Sequence, residues 1–543
     1  MVATVRSLNV PQSAAPGETV KPAKGGFAGR IAPLVRGLSD MVALADRHRP
    51  QTDVYAPFNA ECIGTVPSCT AEDVRLAVER ARDAQGAWAA RPLRERTRVF
   101  MRYHDLVLDR LESLLDLLQI EGGKSRKHAL EEVLDVPLNS RYYAAHASEL
   151  LNPKRRQALV PLIVKAWEYH HPVGVVGIIS PWNYPFTMAV SDALPALIAG
   201  NAVVLKPADL TPFSALYAVR LLYEAGLPGD LFQVVTGRGS VLGTPLIEQA
   251  DFIGFTGSTE VGRKIGEQAG RRLIKASLEL GGKNPMIVLD DADLERAVYV
   301  ATHGSYAGAG QLCVSFERIY VQSGIYDRFV EAFIARTKAQ RLGPALDYSV
   351  DIGSLIGQSQ VDKTIEHVED ARSKGAQVLA GGRSRPDIGP YFFEPTILTA
   401  VTEGMQCYRE ETFGPVVSVY KVDTVEEAIH RANDSEFGLN AAVISRDERK
   451  AIEIASRVRC GTVSVNEVYQ VPWSAMGAPM GGMKDSGLGR RHGIEGILKY
   501  TESQNIALSR MSPLFPLPRL SVEASAAAFL AMFRAMKHIP GLR

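Results

Sequence analysis

Val173-Gly174-Val175-Val176-Gly177-Ile178-Ile179, running straight into Ser180-Pro181-Trp182-Asn183-Tyr184-Pro185, decides the fold. An apolar run without alternation predicts a strand buried on both faces, as in a parallel sheet, and the two prolines behind it make a rigid elbow. A helical stretch over 186–199 follows, then a second buried strand at Asn201-Ala202-Val203-Val204-Leu205. A helix over 212–225, strands near 231–235 and 252–255, and a helix near 260–269 continue the alternation. Such a βαβ series predicts a doubly wound α/β domain. A second series starts with a strand at 285–289 and runs through a strand at 318–321 and helices at 326–339 and 360–374. It closes with strands at 377–379, 391–398 and 416–422. Two α/β domains suit a chain of 543 residues, because one core rarely serves more than about 250–300.

Upstream, residues 71–119 read as long amphipathic helices. Val74, Ala77, Val78 and Ala81 recur at three and four, followed by Val99, Tyr103, Leu106, Val107 and Leu111. Glu121-Gly122-Gly123-Lys124 breaks the pattern before another helix through Val133. Between 159 and 171, Val160, Leu162, Val164 and Trp167 nearly alternate, which predicts an extended ribbon. The first 29 residues read as a flexible tail rather than a signal peptide, and 30–46 as a leading helix. At the other end, 521–536 place Val522, Ala526, Phe529, Leu530, Met532 and Phe533 near Arg534, Lys537 and Arg543. That segment is a helix for packing on a partner subunit or for lying on a membrane surface.

Lys plus Arg number 61 against 60 Asp plus Glu, so no overall charge draws the chain to nucleic acid; a small-molecule partner is expected. Five scattered cysteines without a Cys-x-x-Cys pair or a zinc-spaced cluster predict a reducing compartment and no structural metal. No run reaches the eighteen or so apolar residues of a spanning helix, and a cytoplasmic protein is expected.

The chemistry rests on Gly310-Gln311-Leu312-Cys313, downstream of Leu278-Glu279-Leu280-Gly281-Gly282-Lys283. A thiolate attacks carbonyl carbon, and the adduct then needs a base to activate water. Glu279, between two leucines, reads as a carboxylate facing a cavity, where burial raises its pKa toward that of a useful base; the alternative is a solvated strand end. Gly308 and Gly310 let the backbone come close and leave the Cys313 amide free as an oxyanion donor. Asn183 on the elbow is either the second donor or a cap of the next helix. Gly257-Ser258, at a strand end opening a helix, reads as a pyrophosphate cradle or as a simple cap. Lys206 and Asp209 close the second strand, either as a ribose site or as a surface pair. Glu411 and Phe413, before a strand, suit a nicotinamide ribose and ring, or form only a surface turn. The Gly-x-Gly segments at 237–239 and 487–489 do not have dinucleotide-fingerprint spacing.

Together these motifs resemble the aldehyde dehydrogenase superfamily from about Asp53 to Ile506. Ser180–Pro185, Asn201–Pro207, Phe255–Ser258, Leu278–Pro285, Gly310–Cys313, Glu411–Pro415 and Ser486–Arg490 stand in family order. The resemblance implies Cys313 as nucleophile, Glu279 as general base, and Asn183 with the Cys313 amide as oxyanion hole. It places Lys206, Asp209, Gly257, Ser258, Glu411 and Phe413 in a site for NAD or NADP, with Trp182 and Leu280 nearby. It also implies a cofactor domain over 51–154 and 173–281, a catalytic domain over 282–495, and an oligomerisation ribbon over 155–172 and 496–508. Residues 1–50 and 509–543 flank these parts, and a homodimer or homotetramer is expected. Ala478-Pro479-Met480-Gly481-Gly482 and Gly489-Arg490-Arg491-His492-Gly493 are most similar to a divergent bacterial succinate-semialdehyde dehydrogenase branch.

The chain departs from semialdehyde oxidisers where they hold the substrate carboxylate with arginines, because the equivalent positions here are Ser191 and Ala307. The expected tunnel residues Tyr184, Met188, Leu312, Tyr469 and Trp473 suit a neutral aliphatic or aromatic aldehyde instead. Asp209 is shorter than the glutamate common at the ribose site, so the choice of nucleotide stays open. A CoA-acylating dehydrogenase, an acyl-phosphate reductase and a non-catalytic binding protein on this scaffold are the alternatives. Glu279 argues against the first, and the intact set of Asn183, Glu279 and Cys313 against the last.

Overall fold

The structure, a computed structural model, describes residues 26–158 and 163–538. The expected flexible tail up to residue 25, the ribbon positions Val160 and Leu162, and the end of the chain from 539 lie outside the described residues.

Two doubly wound α/β domains carry the chain. The first sheet has the spatial order Gly487–Leu488, Lys275–Glu279, Phe252–Thr256, Val175–Ile179, Ala202–Lys206, Phe232–Val234. All its pairings are parallel except that of Gly487–Leu488, which runs antiparallel with Gly487 opposite Glu279. Strands are added on one side of Val175–Ile179 and then on the other, so the winding reverses between this strand and Phe252–Thr256. In such sheets the crevice outside the carboxyl ends at the reversal is where ligands bind. The two central strands Val175–Ile179 and Ala202–Lys206 are buried at every position, as their unalternating sequences require. Ala71–Ala89 lies over this sheet through buried Val74, Ala77, Val78 and Ala81, one face of a 3.6-residue repeat.

The second sheet has the order Gln377–Ala380, Thr396–Thr399, Val416–Val422, Phe316–Gln322, Asn284–Val288, Asn440–Ile444, Thr462–Val465. Only the edge pair Gln377–Ala380 and Thr396–Thr399 is antiparallel. A third, separate sheet joins Thr501–Ser509, Val164–Pro172 and Lys154–Arg156, and Thr501–Ser509 is exposed at every position after Thr501.

Four elements differ from the sequence reading, and the first is the strand expected over 391–398, which is confined to Thr396–Thr399. The helix expected to end at Val133 runs over Arg126–Leu151, through Pro137. The missing Pro137 amide removes one turn's hydrogen bond, yet burial of Val133, Val136, Tyr143 and Ala147 along the same face holds both halves in line. The stretch 186–199 forms two helices, Pro185–Val190 and Ala193–Ile198, because Pro195 has no amide to continue the first. The leading helix is Phe27–Val35, followed by a single 3-10 turn.

Candidate active site

The site lies where the two sheets oppose unlike ends. The carboxyl edge of the first sheet supplies the elbow after Ile179, Gly257-Ser258 after Thr256, and Glu279. The amino edge of the second supplies Gly281-Gly282 before Asn284, Cys313 before Phe316, and Glu411–Phe413 before Val416. A cleft of about 210 Å³ between them is walled by Trp182, Asn183, Tyr184, Met188, Gly257, Ser258, Leu280, Leu312, Cys313, Glu411, Phe413 and Trp473, together with Gln360 and Lys363. Lys206 and Asp209 sit outside it at the next strand end, paired with each other at 3.0 Å. Tyr469 walls an adjoining cavity instead.

The elbow is held from the helical layer. Two glutamates on either side of the Gly122-Gly123 break reach the first amides of two proline-started helices. Glu132 accepts from Phe186 N at 2.8 Å and Thr187 N at 3.3 Å, and Glu121 from Phe213 N and Ser214 N, both at 2.7 Å. A carboxylate at a helix start satisfies orphan amides and complements the dipole. Asn183, just before the first of these helices, donates through Nδ2 to Gln311 O at 3.0 Å, which ties the elbow to the nucleophile loop and leaves its second N–H free.

The loop before Cys313 is a left-handed turn, with φ of +57°, +58° and +72° at Gly308, Ala309 and Gly310. Ala309 in that region stores roughly 1–3 kcal/mol of strain. Gly310 permits no side chain, since a Cβ there would stand 2.0 Å from Gly414 O. The surroundings hold the loop at several points. His128 Nδ1 accepts from Gly308 N at 3.2 Å, Gln311 Oε1 accepts from Ile356 N at 2.9 Å, and Asn284 Nδ2 donates to the Cys313 and Ser315 carbonyls, both at 2.7 Å. The Cys313 N–H lies against its own sulfur and meets no other acceptor among the described residues.

Electrostatics divide the site. Burial pushes the Glu279 carboxyl up to about 7, against the partial relief of Arg491 and Lys499. Its Oε1 is buried without a hydrogen-bond partner and packs toward Gly481, so the carboxylate stands beside the cleft rather than in its wall. Burial, with Glu411 and Glu279 nearby, pushes the Cys313 thiol up to about 12. The largest relief comes from Arg491, a buried guanidinium paired with Asp192 at 3.2 Å and set against Met188 Sδ at 3.2 Å. Glu411 is raised to about 7 by burial and by Glu317, and accepts from Gly282 N at 2.8 Å. A buried Lys283–Glu317 pair supports this side. Glu317 accepts from Thr412 N and Phe413 N, and so holds Phe413 at φ +56° with its ring edge-on to Trp182, 5.5 Å between centroids.

These residues fit a dinucleotide. Ser258 caps the helix Thr259–Arg272 without a side-chain hydrogen bond to its first amides, which leaves donors for a pyrophosphate, while Glu411 and the Phe413 ring face the same cleft. His128, Glu131 and His303 bring potential ligand atoms within 4.8 Å of one another. His128 Nδ1 already accepts from Gly308 N–H, so the neutral ring carries its proton on Nε2 and offers no lone pair to an ion there.

Sequence reasoning picked out most of the residues that face the cleft but missed Gln360 and Lys363 in its wall, and it missed the residues that hold the others in place. Glu132, His128 and Glu317 lie far along the chain from what they position and carry no local motif. Lys283 and Asn284 stand inside a quoted motif, but only the contacts reveal their work. Ser191 is buried with its hydroxyl on Asp135, and Ala307 is buried as well, so neither position offers a cation.

The model of the aldehyde dehydrogenase family matches residues 44–506. The chain is 50% identical over 505 residues to a Mycolicibacterium smegmatis protein called "putative succinate-semialdehyde dehydrogenase, NADP(+)", covering 93% of this chain and 98% of that one. It is 38% identical over 457 residues to the Escherichia coli succinate-semialdehyde dehydrogenase named for NADP(+), covering 83% and 92%. Among solved structures, betaine aldehyde dehydrogenase from Staphylococcus aureus in complex with NAD+ superposes with a TM-score of 0.84 at 33% identity, over 91% of this chain and 99% of that one.

Proposed function

Because the chain belongs to the aldehyde dehydrogenase family and is an NAD(P)-dependent aldehyde dehydrogenase, we propose that it oxidises an aldehyde to a carboxylic acid through a thioester on Cys313. The observation that carries this reading is that Cys313 and Asn183 share one cleft with Gly257-Ser258, Glu411 and Phe413, with Glu279 buried at the neighbouring strand end.

The Cys313 thiol loses its proton to water in the cleft, the sulfur bonds to the carbonyl carbon, and the π pair of the C=O bond moves onto oxygen. The free N–H of Asn183 and the Cys313 amide receive the negative oxygen that forms, where donors already fixed in a dry site count most. Held by Glu411 and beside the Phe413 ring in the cleft that Cys313 lines, a nicotinamide would supply the acceptor for the hydride released as that oxygen returns to a carbonyl. Glu279 then turns toward the thioester and takes a proton from water. The resulting hydroxide attacks the acyl carbon, the C–S bond breaks with its pair going to sulfur, and the thiolate takes back the proton held by Glu279 as the acid leaves. A base near pKa 7 suits that proton transfer at neutral pH.

Lys206 and Asp209 hold the adenosine ribose in this reading, with either nucleotide as cofactor. The exposed Thr501–Ser509 edge joins a second copy in a dimer or tetramer. The substrate's far end carries no carboxylate, because Ser191 and Ala307 replace the arginines that would hold one. Succinate semialdehyde is the second reading, favoured by the names of the relatives. A panel of aldehydes run with each nucleotide, following absorbance of the reduced cofactor, tests the reaction. Turnover that disappears in Cys313→Ala is expected; turnover of no aldehyde, or undiminished turnover in that variant, would overturn it.

A further inference from the structure

Near its start, the helix Arg126–Leu151 carries His128 and Glu132 four residues apart, and hence on one face. Both side chains are buried, and each reaches the backbone of a segment that supplies a reacting group. Glu132 accepts the first amides of the helix behind Asn183, at Phe186 and Thr187. His128 accepts the amide of Gly308, 180 positions further along the chain, which opens the left-handed turn leading to Cys313. One helical turn therefore holds both the elbow and the nucleophile loop.

Among the described residues no backbone carbonyl accepts the Gly308 N–H, so His128 Nδ1, at 3.2 Å, is what satisfies this buried donor. The Gly308 carbonyl is held in turn by Gln311, through its N–H at 3.2 Å and its Nε2 at 3.0 Å. Gln311 passes the hold on, because its own carbonyl accepts from Asn183 Nδ2 at 3.0 Å. The loop is thus tied to His128 at one end and to the elbow at the other. Burial pulls the His128 pKa well below its ordinary value, which keeps the ring neutral and Nδ1 an acceptor. Ser125 Oγ, 2.9 Å from Nδ1, and the His303 ring, edge-on at 5.6 Å between centroids, fix how the imidazole is turned.

We propose that His128 is a positioning residue of the reaction: with Glu132 one turn further on, it sets the nucleophile loop against the elbow, so that the Cys313 sulfur and the Asn183 amide meet the same carbonyl group. The inference rests on the reading of Cys313 as nucleophile and adds a residue that touches neither substrate nor nucleotide. Without the Nδ1 acceptor, a turn with two glycines and a strained Ala309 loses the contact that fixes its first residue. A displacement of about 1 Å in a reacting group costs about 10² in rate.

The test replaces His128 with asparagine and with leucine, side chains of nearly equal size. Asparagine sets its Oδ1 where Nδ1 stands and accepts from Gly308; leucine cannot. With protein in excess of an aldehyde that the wild type oxidises, stopped-flow absorbance gives the single-turnover rate of nucleotide reduction, and fluorescence titration gives the nucleotide Kd. His128→Leu is expected to slow the single turnover by roughly 30- to 100-fold, while His128→Asn stays within about threefold of the wild type. Nucleotide Kd should change less than about twofold in both, since Gly257-Ser258 and Glu411 are untouched, whereas a general loosening of the core would weaken nucleotide binding and slow both variants alike. If His128→Leu does not fold, His128→Gln takes its place with the same expectation, because its acceptor lies one bond further from the helix. A leucine or glutamine variant within about threefold of the wild type, or an asparagine variant as slow as leucine, would overturn the inference and leave aldehyde oxidation standing. Reduction of nucleotide with no aldehyde, or an undiminished single turnover in Cys313→Ala, would bring down the functional reading and this one with it.

Discussion

Replacing Glu279 with glutamine separates the two halves of the proposed cycle. Burial sets the Glu279 carboxyl at about 7, so in the wild type roughly a tenth of it is ionised at pH 6 and nine tenths at pH 8. If water activation limits turnover, kcat should climb close to tenfold per pH unit below that value and level off above it. Glutamine keeps the shape and cannot accept the proton. The steady-state rate should therefore fall by about 10²–10⁴, the usual worth of a positioned base, and the acid limb of the pH profile should vanish. The first half needs only that Cys313 be reached and that the oxyanion be held by Asn183 and the Cys313 amide, neither of which the change touches. Stopped-flow absorbance should show a burst of about one reduced cofactor per active site followed by a much slower phase. The reasoning is refuted if Glu279→Gln turns over within tenfold of the wild type, or keeps an acid limb near pH 7.

Two further outcomes follow from the buried charges. With the thiol at about 12, alkylation of Cys313 by iodoacetamide in the protein alone should rise about tenfold per pH unit from 7 to 10; a plateau near pH 8 would mean that the sulfur is not desolvated as described. Lys283→Met leaves Glu317 buried without its counter-charge beneath Thr412 and Phe413, which should cost about 3–5 kcal/mol of stability in denaturant unfolding. Nucleotide KM should rise as well if any folded protein remains, and an unchanged unfolding midpoint would contradict the role given to the pair.

Much of the architecture was legible because a strand covered on both faces cannot alternate. Val173–Ile179 and Asn201–Leu205 are marked by composition alone, and both form central strands. The helix Arg126–Leu151 was half legible, since Pro137 reads as a stop where only neighbours decide otherwise. Of the site, Cys313, Asn183, Glu411 and Phe413 were legible as motif residues and face one cleft. Glu279 was legible too, but its position beside that cleft rather than in its wall was not.

The amino-acid order by itself determined the strand–helix alternation, the elbow at Ser180–Pro185, the glycines at 308 and 310, and the inventory of thiol, amide and carboxylate. These are local matters of periodicity, backbone freedom and functional group, read within a few residues. Only the folded chain decided that the carboxyl edge of one sheet faces the amino edge of the other, so that Asn183 donates to the carbonyl of Gln311, two residues before Cys313. Only the folded chain set a thiol near 12 beside a carboxyl near 7. The reason is physical: a titratable group takes its character from the solvent it loses and the charges it gains, and both come from segments distant in sequence.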